Sequence, residues 1–368
     1  MSKQLYATGE RAFFAAGNSR LGFCSYFESC FRDRVSHLLC IKGGPGTGKN
    51  TLMRAVAREG ERRGYRSEYY YCSSDPDSLD AVLLFDEKHS VGLVDATAPH
   101  VLEGKLPGVQ EEIVDLGQFW HRSRLLARQD DIVLWNQQKA KGYRDAYRYL
   151  AGVGEVSDIL YDLTLSTIDA PKLERTATRL LRGIPPQKEG QVRIGLCDSI
   201  GMRGRVTLDT YLHLGERLCL IEDYYDSGFA LMRRLANIAF ERKIASRVSY
   251  HPVLPDRIDA LFLEDSKTVF VVGERQEMLE AAERMPHARL IDMRRLVRRE
   301  QVRASRDRIR GAARLREALL DGACDALQEV KEAHFKLEEV YAAAMDFDAK
   351  ERYTKELCKR LFEGESER

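Results

Sequence analysis

Residues 38–95 lie over residues 217–274 at a constant offset of 179 positions, without a gap, and 16 of the 58 pairs are identical. "TLMRAVA" meets "ALMRRLA", "PDSLDAVLLFDEK" meets "PDRIDALFLEDSK", and several other pairs in the strands and helix exchange one apolar residue for another. A second echo joins "IDAPKLERTATRLL" (168–181) to "MDFDAKERYTKELC" (345–358) at an offset of 177. A repeat of this length constrains the fold more than any single motif, because what one copy builds the other must build again. The chain therefore divides into halves of about 1–185 and 190–368, joined by "RGIPPQKEGQ" (182–191), rich in Pro and Gly. Its 368 residues suffice for two cores of ordinary domain size.

Within each half a short apolar strand (36–42; 216–221) precedes a helix (49–63; 228–243), followed by a second strand (66–72; 246–251) and a third (90–95; 268–273). Strands alternating with helices of this length predict parallel βαβ units. Ile113, Leu116 and Trp120, then Ile132, Trp135, Tyr143, Tyr147 and Leu150, recur at helical spacing. Each half is thus expected to close in a long-helix segment, about 111–181 and about 298–362. The expected fold class is α/β: two tandem parallel-sheet domains, each with an appended helical segment. The run Tyr69, Tyr70, Tyr71 is expected to pack in the core.

Pro76/Pro255, Asp77/Asp256, Asp80/Asp259 and Ala81/Ala260 are retained in both copies, which predicts a turn and a helix-capping carboxylate. No apolar run approaches the roughly 20 residues that span a bilayer, and "MSKQLYATGE" lacks the apolar stretch of a secretory leader. The eight cysteines are scattered without C-x-x-C spacing, which argues against a disulfide scaffold or a zinc site and for the reducing cytoplasm.

Gly43, Gly44, Pro45, Gly46, Thr47, Gly48 and Lys49 follow an expected strand and open an expected helix, the context that the pattern G-x-x-x-x-G-K-[ST] requires. Glycines let successive backbone N–H groups converge on an anion, and the helix N-terminus adds positive potential. Lys49 would reach the outer phosphates of ATP. At the next position, where a hydroxyl would ligate Mg²⁺, stands Asn50, followed by Thr51. The amide arm is longer than a serine's, so binding is expected to survive with the Mg²⁺ contribution weakened; Asn50→Ser should raise Mg²⁺-dependent affinity or turnover. Asp95, closing "SVGLVD", is the expected second metal ligand and, with Lys49, the expected catalytic pair. His100, in the following turn, is a candidate to reach substrate or water.

At the constant offset the second copy of the loop reads "EDYYDSGF": Glu222 replaces Gly43, Gly228 replaces Lys49, and Asp95 lies over Glu274. Two acids in an anion cradle disfavour phosphate, so this copy is expected to be a pseudo-site. Residues lost with it, Lys49, Cys72, Asp75 and His100, are the better candidates for chemistry.

The motifs "GGPGTGKNTLM", "CSSDPDSLDAV" and "VDATAPH", with the helix ending "YRDAYRYL", resemble an uncharacterised family of bacterial P-loop ATPase-like proteins built of two tandem P-loop halves. The resemblance covers essentially the whole chain and implies P-loop NTPase-like folds and ATP binding. It does not supply a substrate. As the family pattern has G-x-P-G-T-G-K-S in both halves, Asn50 and the lost second loop are departures that count against vigorous turnover.

Three functions follow as expectations. One is a weak or partner-stimulated ATPase or switch; the second is a phosphotransferase acting on a small-molecule acceptor; the third is a nucleotide-sensing scaffold without turnover. ATP or ADP is the expected ligand, a protein partner is allowed, and oligomeric state is open. The run 294–316 holds ten arginines, six of them (Arg295, Arg299, Arg303, Arg306, Arg310 and Arg314) on one helical stripe. With a net charge of only +1, it is expected to be a solvated face pairing with the acids that follow rather than a nucleic-acid or membrane contact. An arginine of the second half, Arg233 or Arg234 included, is a candidate finger toward the first loop.

Overall fold

The computed structural model describes residues 11–363 apart from 101 and 103; the stretch 1–10 read above for a leader lies outside them. The first half runs β1 (Ala12–Phe14), β2 (Ala16–Ser19), β3 (Gly22–Ser25), α1 (Phe27–Phe31), β4 (His37–Lys42), α2 (Lys49–Arg62), β5 (Arg66–Tyr71), β6 (Leu79–Phe85), β7 (Ser90–Asp95) and β8 (Glu111–Asp115). It closes with α3 (Arg122–Leu126), α4 (Gln129–Leu165) and α5 (Ala170–Leu180). The second half runs β9 (Val192–Ile194), β10 (Asp198–Gly201), β11 (Gly204–Thr207), α6 (Thr210–Leu214), β12 (Arg217–Glu222), α7 (Ser227–Glu241), β13 (Ser246–Tyr250), β14 (Ile258–Leu263) and β15 (Thr268–Gly273). Then come α8 (Arg275–Arg284), β16 (Arg289–Asp292), α9 (Arg299–Ala304), α10 (Arg306–Ala343) and α11 (Phe347–Glu363). Apart from α8, the two series match element for element.

The sheets repeat as well: β1-β5-β6-β7-β4-β8 in the first half and β9-β13-β14-β15-β12-β16 in the second. Each is mixed rather than parallel, because β6 and β14 run antiparallel to both neighbours. The expected parallel sheet is corrected on this point. "LDAVLLF" is a buried strand, so Asp80 and Asp259 are buried strand residues, 3 % and 5 % exposed, and not helix caps. The helical rhythm at Ile113 and Leu116 was also misleading: Glu111–Asp115 is an edge strand against β4, and the long helix begins only at Gln129. Tyr69, Tyr70 and Tyr71 are buried in β5 as expected.

Apolar faces of the two sheets meet in one core. Phe13, Tyr70 and Ala81 of the first half pack in the same cluster as Tyr211, Leu218 and Phe262 of the second. Phe14 and Leu196 exchange backbone hydrogen bonds across the halves, and the rings of Tyr26 and Tyr250 stack at 5.5 Å. At the centre, Arg247 donates to Glu68 at 2.8 Å with both side chains 3 % exposed. Burial alone would raise the Glu68 carboxyl, but Arg247 and Arg34 hold it down at about 2.

Helices α4 and α10 cross both halves as an antiparallel pair. Close approach is permitted by Gly142 and Gly322: a Cβ at the first would lie 2.6 Å from Val330, and at the second 2.7 Å from Tyr149. No helix among the described residues is long and apolar enough to cross a membrane.

Candidate functional site

Strand β4 ends at the glycine-rich loop and α2 begins at Lys49, with Gly48 in the left-handed region at φ 81°. The Lys49 ammonium donates to the carbonyls of Gly43 and Gly44, both at 2.8 Å, and lies 3.5 Å from Asp95. Asp95, next to the loop because β7 pairs with β4, accepts from the N–H of Thr97, whose hydroxyl donates to Gly43. Thr47 is buried and donates to Gly44, and Pro45 is half-buried in the loop. Thus Lys49, Asp95 and the loop glycines come together. Asn50 is engaged elsewhere: its carbonyl oxygen accepts from Arg54 at 3.0 Å and its amide faces the Asp77 carbonyl at 3.4 Å. Thr51, exposed on α2, accepts from Lys350.

The long helices roof this loop. Gly46, at φ 69°, lies so close to α10 that a Cβ there would sit 2.5 Å from the Glu338 carbonyl. Its N–H is turned to the Glu338 carboxylate, which burial, followed by the neighbouring Asp75, pushes up from its ordinary value. Trp120 and Tyr341 flank Gly44. Lys139 of α4 lies 3.4 Å from His334 of α10, whose imidazole is depressed to about 4 by burial and then by that lysine. Lys350, on α11, is 3 % exposed and donates to Thr51 at 2.7 Å. Among the described residues no carboxylate pairs with it, and burial lowers its affinity for a proton.

None of Lys139, His334, Glu338 or Lys350 was singled out from the sequence. One signal was available for Lys350: at offset 177 its counterpart is Leu173, and Thr51 faces Ala230 at 179. Leu173 of α5 and Ala230 of α7 are packed in one apolar cluster. The same helix contact is therefore cationic in one copy and greasy in the other.

The second loop is filled by its own side chain. Asp223 accepts from the N–H of Asp226 at 2.8 Å and of Gly228 at 2.6 Å, at the N-terminus of α7. Asp226 takes the left-handed conformation (φ 68°) that Gly48 takes in the first half. It is paired with Arg257 and Arg316, each at 2.6 Å. The constant offset also breaks down at the end of this sheet. Val94 pairs with Ala81 and Val271 with Ala260, two residues that the repeat equates. Asp95 therefore corresponds to Val272, not to Glu274, and the strand-end acid is absent from the second copy.

Other expectations are redirected. Arg234 pairs with Glu174 on the surface, and among the described residues the second half brings Glu338, Tyr341 and Lys350 to the first loop, not an arginine. The six stripe arginines are exposed as expected, yet no ion pair joins them to the following acids among the described residues; of the run, Arg294 pairs with Glu222 and Asp292, and Arg316 with Asp226 and Glu317. Cys72 and His100 meet Asp80 rather than the loop glycines, and the Asp80 carboxyl is near enough to Asp95 and Lys49 to feel both charges.

These features define two similar α/β domains in tandem, each a mixed six-stranded sheet with helices. A family model described as "Nephrocystin 3, N-terminal" matches residues 24–84, the stretch from β3 through the loop and α2 to β6. No curated protein and no solved structure matches the chain.

Proposed function

We propose that the chain is a P-loop protein that binds ATP or ADP at residues 43–51 and couples occupancy to movement of its long helices, with slow or partner-stimulated hydrolysis. The observation that carries this reading is Lys350. An ammonium buried without a paired carboxylate, beside Gly48 and Thr51 at the N-terminus of α2, is unfavourable until an anion arrives. Its replacement by Leu173 in the copy whose loop is already filled by Asp223 is what such a role requires. Mg²⁺ would be held by Asp95 and water, with Asn50 contributing only if it leaves Arg54. That engagement favours the slow end of the range, a switch or sensor over a vigorous enzyme. The roof over Gly46 supports the switch: nucleotide has to displace Glu338, and α10 carries the displacement into the second half. The protein would act in the cytoplasm, the compartment that suits eight free thiols and millimolar ATP.

Titration calorimetry with ATP and ADP, with and without Mg²⁺, tests the reading. Lys49→Ala should abolish binding. Lys350→Met should weaken it about tenfold or more, the worth of a charged hydrogen bond, without lowering thermal stability. An empty loop at millimolar ATP, or affinity indifferent to both substitutions, refutes it.

A further inference from the structure

Two of the motifs that mark this sequence, "CSSDPDSLDAV" and "VDATAPH", contribute residues that nucleotide binding does not use. Cys72 follows β5, Asp80 lies in β6, and His100 lies past the end of β7. Their ligand atoms all fall within 4.8 Å of one another. The His100 Nε2 is 3.6 Å from the Asp80 carboxylate, too long for a hydrogen bond. It is close to the roughly 3.4 Å that separates two atoms sharing a tetrahedral metal at ordinary zinc distances. Asp80 Oδ2 and His100 Nδ1 are buried without a hydrogen-bond partner among the described residues. The imidazole is held in place by stacking on Phe27 at 4.5 Å and by the edge of Phe23 at 5.0 Å.

The duplicate shows what such a cage takes. Cys72 and Asp80 correspond to His251 and Asp259; His100, the fifth residue past Asp95, corresponds to Glu277, the fifth past Val272. Into that second cage projects Arg205, 3.3 Å from Glu277 and 3.2 Å from Asp198, with its charge acting on Asp259. Arg205 is the second residue of β11, and the second residue of the equivalent strand β3 is Phe23. One copy thus supplies a cation from its own hairpin. The other puts a phenyl ring there and leaves a thiol, a carboxylate and an imidazole converging without one.

We propose that Cys72, Asp80 and His100 bind a divalent transition-metal ion of the zinc class. The mixed S, O, N donor set suits zinc better than the oxygen-loving Mg²⁺ or Ca²⁺, and three protein ligands leave a fourth position for water. Binding takes the proton from the Cys72 thiol, which burial otherwise holds well above its usual range, and releases it to solvent. The ligands are spaced 8 and 20 residues apart on three elements, so no sequence motif of the C-x-x-C kind announces them.

The site does not depend on the nucleotide reading and is tested without nucleotide. The full chain, incubated with zinc and dialysed, should retain about one ion per chain by elemental analysis. Cobalt substituted for zinc should give the intense absorption of a thiolate-bound ion. Cys72→Ser should remove that absorption, and His100→Gln should lower retention at least tenfold. Phe23→Arg, which restores the duplicate's internal cation, should abolish uptake while leaving the chain folded by circular dichroism. Absence of bound metal in the parent chain, retention unchanged in His100→Gln, or uptake unimpaired in folded Phe23→Arg overturns the proposal.

Discussion

Asp223 holds two backbone N–H groups of the second loop, yet burial, followed by the neighbouring Asp226, pushes its carboxyl up to about 6. The folded chain therefore binds this proton more tightly than the unfolded one. Its contribution to stability is full below about 4, the ordinary carboxyl value, and is lost as pH rises to about 6. Asp223→Asn keeps an acceptor and removes the charge. Thermal melts should show the variant a few degrees more stable than the parent above pH 6, with the gap closing below pH 4. At the first loop the acid comes from outside: the Glu338 carboxylate accepts from the Gly46 N–H. Under the nucleotide reading Glu338→Ala should tighten ATP about tenfold, measured by calorimetry at fixed Mg²⁺; weaker or unchanged affinity would show that Glu338 is no competitor.

The two long helices touch both loops. Lys139 of α4 and Glu338 of α10 lie at the first, while Arg316 of α10 and Ser157 of α4, the latter through Arg257, lie at the second. From residue 316 to residue 338 the helix spans about 33 Å. Gly142→Leu drives a side chain into Val330 and should cost about 1–3 kcal/mol in denaturant titrations. If α10 gates the loop, the same substitution should speed nucleotide association in stopped flow, because it lifts the roof.

The helices, the loop and most strands were legible in the sequence, since long periodic segments and a seven-residue loop pattern are local signals. The antiparallel β6 was not: a continuous apolar run such as "LDAVLLF" has no periodicity, and its leading "PD" resembles a cap. Nor was β8, an edge strand with Ile113 facing solvent at 68 % exposure, whose pairing with β4 is set by the sheet. Lys350 and Glu338 lie about 300 residues from the loop they meet. Only the comparison of one copy with the other hinted at the first.

Because Phe13, Tyr70, Tyr211 and Phe262 share one core, neither half closes its own apolar surface. Residues 1–185 and 190–368, expressed from separate messages, should each be insoluble alone and recovered together as a one-to-one complex by size-exclusion chromatography. Two soluble, separate halves would contradict the shared core. Glu68 and Arg247 are 179 positions apart, occupy matching strands, and touch each other. Residues that are each other's copies can meet only on the axis relating the copies, where in a pair of identical chains a side chain confronts itself. Two first halves would bring carboxylate against buried carboxylate, and two second halves guanidinium against guanidinium, each a repulsion of several kcal/mol. The unlike pair at this one axial position thus fits each face to its sibling and against a second copy of itself.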